Sequence, residues 1–188
     1  METLGNAPAA ARAAEPARSA RGAEETAAGL VAAVTASLCL WRCRRVGLRA
    51  RALGRPLVDN AANVEIGDDV LIDSRAGHVR LASVGRGRLV VGDSVRIGPS
   101  TRIVASRYVE IGDRTRIGAG CLISDAEDAP DSRDPEIWSG DGVTLGDGVR
   151  VLPGTVIGAG VVVAAGTVVS GRIPPGALVT PGGHAQGT

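Results

Sequence analysis

The stretch "LGDGVRVLPGTVIGAGVVVAAGTVV", residues 145–169, carries an aliphatic side chain at every sixth position: Leu145, Val151, Ile157, Val163 and Val169. A helix repeats near 3.6 residues and a strand alternates every two. Six fits neither alone. Two residues ahead of most of these anchors stands a second small or β-branched residue, giving Val149–Val151, Thr155–Ile157, Val161–Val163 and Thr167–Val169. A spacing of two puts both side chains on one face of a strand. Each hexad is therefore a very short strand with two inward residues, followed by a turn.

Working outward, the same pairs recur as Val70–Ile72, Val95–Ile97, Thr101–Ile103, Thr115–Ile117 and Cys121–Ile123. Glycine follows many anchors directly, as at Gly67, Gly92, Gly118 and Gly158, or three places on, as at Gly120, Gly148 and Gly166. Glycine accepts a positive φ and the close approach of a neighbouring coil. Short strand, tight turn and short strand at one fixed length describe a solenoid. Its backbone hydrogen bonds run between coils stacked about 4.8 Å apart. An irregular β-sandwich would not hold a six-residue period over nine paired hexads. The expected fold is an all-β solenoid.

Composition agrees. The chain has 188 residues and no Phe, and aromatics make up only 2%, so the core must be built from Val, Ile, Leu and Ala. The net charge of +1 gives no global field for nucleic acid, and base-stacking rings are scarce, so no nucleic-acid partner is expected. Cys39, Cys43 and Cys121 offer no second pair to complete a zinc site. They read as reduced thiols of a cytoplasmic protein.

Four parts flank or interrupt the repeats. Residues 1–26 are rich in Ala, Arg, Glu and Pro and read as a disordered tail. Residues 27–55 hold an apolar run, 27–41, with a basic flank of Arg42, Arg44, Arg45, Arg49, Arg51 and Arg55. As a helix the run is too short to span a bilayer. The favoured reading is a helix packed on the main domain. The flank also allows weak contact with anionic lipid at the inner face of the membrane. Residues 56–180 hold the repeats, less regular over 73–90, and "DAEDAPDSRDPEIWS" (125–139) breaks them as a loop. Residues 181–188 form a C-terminal tail.

The motifs "IGDDV", "VGDSVRIG", "IGDRTRIGAGCLISD", "LGDGVRVLPGTVIGAGVVVAAGTVV" and "IPPGALV" resemble the hexapeptide-repeat, or isoleucine-patch, acyltransferase superfamily, of the sugar and polysaccharide O-acetyltransferase type. The resemblance covers about residues 55–180. It implies a left-handed parallel β-helix and a homotrimer. It also implies transfer of an acetyl group from acetyl-CoA to a hydroxyl or amine of a sugar, polysaccharide or small molecule, without a metal. The site would lie between subunits beside a loop such as 125–139.

The chemistry needs a base to take the acceptor's proton, donors for the oxyanion and a groove for the pantetheine arm. In the family the base is a His shortly after a segment like "LISD". Here Ala126, Glu127, Asp128 and Ala129 follow, and the only His are His78 and His184. Glu127 and Asp128 are therefore the candidate bases, because desolvation can raise a carboxylate's pKa. They belong to an acidic group with Asp125, Asp131, Asp134 and Glu136, which reads equally as a solvated loop. On the coenzyme side Thr144 stands where the family often has Trp. Ser170 and Gly171 stand where it often has Thr-Lys, with Arg172 one place on. Gly146, Ala164 and Ala165 keep the small residues that would let pantetheine lie close, and they also suit plain coil packing. The other reading is a structural or regulatory β-helix that has lost catalysis. A zinc enzyme on this helix would need three His, which the chain lacks.

Overall fold

The computed structural model describes Ala36, Cys39, Leu40, residues 42–126 and residues 135–182. The tail 1–26, most of 27–41, the candidate bases Glu127 and Asp128, and His184 lie outside the described residues. Within them the chain is a parallel β-solenoid. Its three sheets hold seven, seven and six strands, and every strand pairs with the strand one coil away. The coils span 45–59, 64–83, 88–105, 108–124, 137–151 and 156–169, and a seventh, 172–179, has two strands. Each coil thus runs along a first, a second and a third face before the next begins.

The inward register follows the hexads. All nine pairs named above are buried, from 0% to 4% exposed. They stack in ladders: Ile72, Ile97, Ile117, Leu145, Val163 and Val179 line the second face rung upon rung. The interval 73–90 does not interrupt them. Val79 and Leu81, then Leu89 and Val91, fill the inward places at 0–2% exposure. Longer corners hide the period there. Ser74 Oγ accepts the Val79 amide at 3.2 Å, and the Ser83 hydroxyl donates to the Gly87 carbonyl at 2.8 Å.

The two glycine positions serve different needs. A Cβ on Gly67, directly after an anchor, would lie 2.7 Å from the Gly92 carbonyl carbon of the next coil. Gly120, three places after its anchor, has φ +65° and open space around it. Where that third position is not glycine, the backbone still turns left-handed, at Asp69, Ser94, Ser100 and Arg114. The aspartate of the "GD" dipeptides has a job that the period alone does not reveal. Oδ1 of Asp68, Asp93, Asp113 and Asp147 accepts the amide of Leu48, Asp68, Asp93 and Ala119, respectively, at 2.7–2.8 Å. Each carboxylate ties its corner to the coil before it.

The solenoid begins earlier than the sequence suggests. Arg45–Val46 and Arg51–Gly54 are strands of the first coil, so the basic flank is part of the solenoid. Arg44 pairs with Glu65 at 3.3 Å and Arg51 with Asp69 at 3.6 Å. Ala36 and Leu40 are helical and belong to the main core cluster; the rest of the run 27–41, apart from Cys39, lies outside the described residues. No described helix is long and apolar enough to cross a membrane.

One inward rung breaks the aliphatic rule. Ser139 stands between Ile111 and Ile157 on the first face. A gap of about 10 Å³ adjoins it, lined by Ile111, Ile137, Leu145 and Ile157 among others. Ser139→Val fills that gap with aliphatic carbon and is expected to add about 1 kcal/mol, or roughly 2–4 °C in Tm. Thermal melts check this. A lower Tm would show that the gap holds a water bound to the hydroxyl.

Candidate active site

The coil path is interrupted between Ser124, the last residue of a third-face strand, and Ile137, the first of a first-face strand. Ile137–Ser139 therefore belongs to the solenoid, in register with Val109–Ile111, although the sequence places it in the loop. Ile137 supplies the inward side chain, 1% exposed, that restarts the core.

Asp125 is also not a loop acid in solvent. It is 5% exposed. Its Oδ1 accepts the Ser106 amide, and its Oδ2 accepts the amides of Arg107 at 2.7 Å and Tyr108 at 2.9 Å. Three backbone donors converge on one carboxylate, which fixes the corner 106–108 beneath the break. Ser124 Oγ accepts the Ala126 amide at 3.1 Å and sets the direction in which the chain leaves the coil. The sequence carries no sign of this role, because Asp125 reads as one acid among six.

Tyr108 and Trp138 meet at the same place. Their ring centroids are 4.7 Å apart, with the planes inclined by 40°. The Tyr108 hydroxyl donates to Glu110 Oε2. Desolvation, reinforced by that hydrogen bond and the Glu110 charge, pushes the phenol up to about 12, so the hydroxyl keeps its proton and acts as a donor. Glu65 lies behind, held by Arg88 at 2.8 Å and Arg44 at 3.3 Å.

The candidate coenzyme residues fall into two groups. Thr144 occupies an outward rung of the second face, between Arg116 and Val162. Gly146 and Ala164 follow on the adjoining corner, donating their amides to the Val163 and Val179 carbonyls at 2.8 Å. Ala165 is the next residue of that corner and is exposed. A Cβ on Gly146 would lie 2.6 Å from the Ala165 nitrogen, so coil stacking alone already requires glycine there. Ser170 is exposed on the corner after the third face, and Arg172 is the exposed first residue of the first-face strand Arg172–Ile173. The structure thus unites Thr144, Gly146, Ala164 and Ala165 and sets Ser170 and Arg172 apart.

His78 is exposed, and its Nδ1 donates to the Arg55 carbonyl at 3.0 Å, the arrangement of a turn histidine. Burial pushes the Cys43 thiol up to about 11 and raises Cys121 as well, so neither forms a ready thiolate. Among the described residues no His, Cys, Asp and Glu side chains converge as a metal-holding group.

Comparison with known proteins bears on the repeats first. Residues 140–171 match the family model for the bacterial transferase hexapeptide (six repeats). No curated protein matches the chain in sequence. Among solved structures the chain is similar to AntD, an N-acyltransferase from Bacillus cereus, in complex with dTDP and 3-hydroxybutyryl-CoA. The TM-score is 0.69 at 17% identity, over 80% of this chain and 84% of that one. A variant of AntD in complex with dTDP-4-amino-4,6-dideoxyglucose and coenzyme A gives a TM-score of 0.66 at 18% identity, over 80% and 85% of the two chains. At such identities the likeness establishes the fold. The repeat motif of residues 140–171 and the likeness in fold together establish a hexapeptide-repeat β-solenoid.

Proposed function

We propose that the chain transfers an acyl group, acetyl in the first instance, from acyl-CoA to a hydroxyl or amine of a sugar, as a homotrimer. One observation carries the reading. The coil path is interrupted between coils four and five, beside the exposed Trp138 and the half-buried Tyr108 and Glu110. AntD shares the fold and binds CoA and a sugar nucleotide. The acceptor oxygen or nitrogen attacks the thioester carbonyl carbon. The C–S bond breaks, and the acceptor's proton passes through a base to the leaving CoA thiolate. Glu127 and Asp128 remain the candidate bases, and backbone amides at the corners can serve the oxyanion.

Calorimetric titration with CoA and acetyl-CoA tests the reading, with saturable heat expected below millimolar ligand. Silence at millimolar ligand would favour the structural β-helix, which the missing loop histidine already suggests. Because a positioned base contributes about 10²–10⁴-fold, transfer to an amino sugar is expected to be slow. His78→Ala is expected to change that rate less than about twofold, since the ring turns to the Arg55 carbonyl. If His78→Ala abolished transfer, the base would lie in the 73–90 region.

A further inference from the structure

The chain contains one Tyr, two Trp and no Phe. Tyr108 and Trp138 both lie outside the core cluster. These two rings stand together on the outside of the solenoid, where the coil path is interrupted between Ser124 and Ile137. Trp138 is 41% exposed, and among the described residues Tyr108 is the one aromatic ring against it, inclined by 40°. An aromatic pair placed outside an aliphatic core contributes little to the fold and fits a ring-shaped ligand.

Resting on the acyl-transfer reading, we propose that Trp138 and Tyr108 form the platform on which the pyranose ring of the acceptor lies. Glu110 accepts a hydrogen bond from one of its hydroxyl or amino groups. Register brings the parts together. Trp138 sits one rung above Glu110 on the first face, about 4.8 Å away. A pyranose has an apolar C–H face to lay on the indole and hydroxyls at its rim to reach a carboxylate. A carboxylate has about four acceptor sites, and Tyr108 takes one of them.

Arg88 and Arg44 are paired with Glu65. Glu110, which accepts from the Tyr108 hydroxyl, stands beside the indole as the acceptor for a hydroxyl or amino donor at the rim of the ring. The platform is also held in place. Asp125 accepts the Tyr108 amide, and Ile137, beside Trp138, is locked in the core.

The test is saturation-transfer NMR and competition titration on the full chain, without CoA. The probes are methyl α-D-glucopyranoside, glucosamine and thymidine. The expected result is transfer to the pyranose C–H protons, weakened by Trp138→Ala at least about fivefold and largely kept by Trp138→Phe, as a ring-stacking contact requires. Three results would overturn the platform: equal sugar binding by wild type and Trp138→Ala, transfer to thymidine alone, or a changed oligomeric state in Trp138→Ala with sugar binding intact. The CoA titration separates the two proposals. Sugar binding without CoA binding would sink acyl transfer and spare the platform, and CoA binding without sugar binding would do the reverse.

Discussion

Ile157→Asp is expected to yield no soluble folded protein. Ile157 is 3% exposed and sits in an inward ladder between Ser139 and Ile173. An uncompensated polar group there costs several kcal/mol and an isolated carboxylate more. The lost aliphatic burial adds to that cost. Net stabilities are only about 5–15 kcal/mol, so one such change consumes most of the margin. A globular core can sometimes shift to let a charge reach water. A solenoid rung cannot, because its backbone is bonded to the coils above and below: Gly140 and Gly158 donate to the Ile157 and Ile173 carbonyls at 2.8 and 2.9 Å. Val162→Asp is the control. Val162 lies on an outward rung at 44% exposure, and the variant should give soluble protein with the wild-type circular dichroism spectrum. Soluble, wild-type-like Ile157→Asp would show that the inward register is wrong.

That register was legible because the repeat makes two independent demands on each hexad, an aliphatic anchor and a small partner two residues before it. Nine pairs meet both. Where a corner lengthens, as at Ser74–Val79 or Ser83–Gly87, the period is lost to counting although the coil continues, because the side-chain hydroxyls of Ser74 and Ser83 bond the extra backbone. Coil one was hidden for another reason. Its outward Arg45 and Arg51 look like a basic flank until Glu65 and Asp69, twenty and eighteen residues on, are seen one coil away. The site is less legible than the fold. The role of Asp125 depends on amides seventeen to nineteen residues back in the chain, and no local motif records that. The sequence places Trp138 in the loop, since nothing in "EIWS" announces that Ile137 re-enters the core while the indole faces out. The small residues at Gly146, Ala164 and Ala165 carry two meanings at once, close coil stacking and room for a ligand, and sequence cannot divide them.

Asp125→Ala is expected to destabilise the chain by about 3 kcal/mol, because hydrogen bonds to charged groups contribute about 1.5–3 kcal/mol each and solvent can recover part of three. In a chain of this size that is a fall of roughly 6–12 °C in Tm. The three amides that lose their acceptor belong to Ser106, Arg107 and Tyr108. Arg107 is exposed and the other two are half-buried, so water replaces the carboxylate unevenly and the corner loosens without unfolding the ladder. Asp125→Asn should fall between the two, since the amide keeps one acceptor oxygen and presents its NH₂ to a donor. The local consequence is sharper than the global one. Tyr108 follows directly from the freed corner, and its hydroxyl reaches Glu110, so the variant should lose order around Tyr108 and Trp138 first. Hydrogen exchange is expected to speed up at residues 106–110 while amides of the second-face ladder, such as those of Gly118 and Gly146, stay protected. An unchanged Tm with unchanged exchange at 106–108 would mean that these amides find other acceptors, and Asp125 would then be one more acid at the edge of the break.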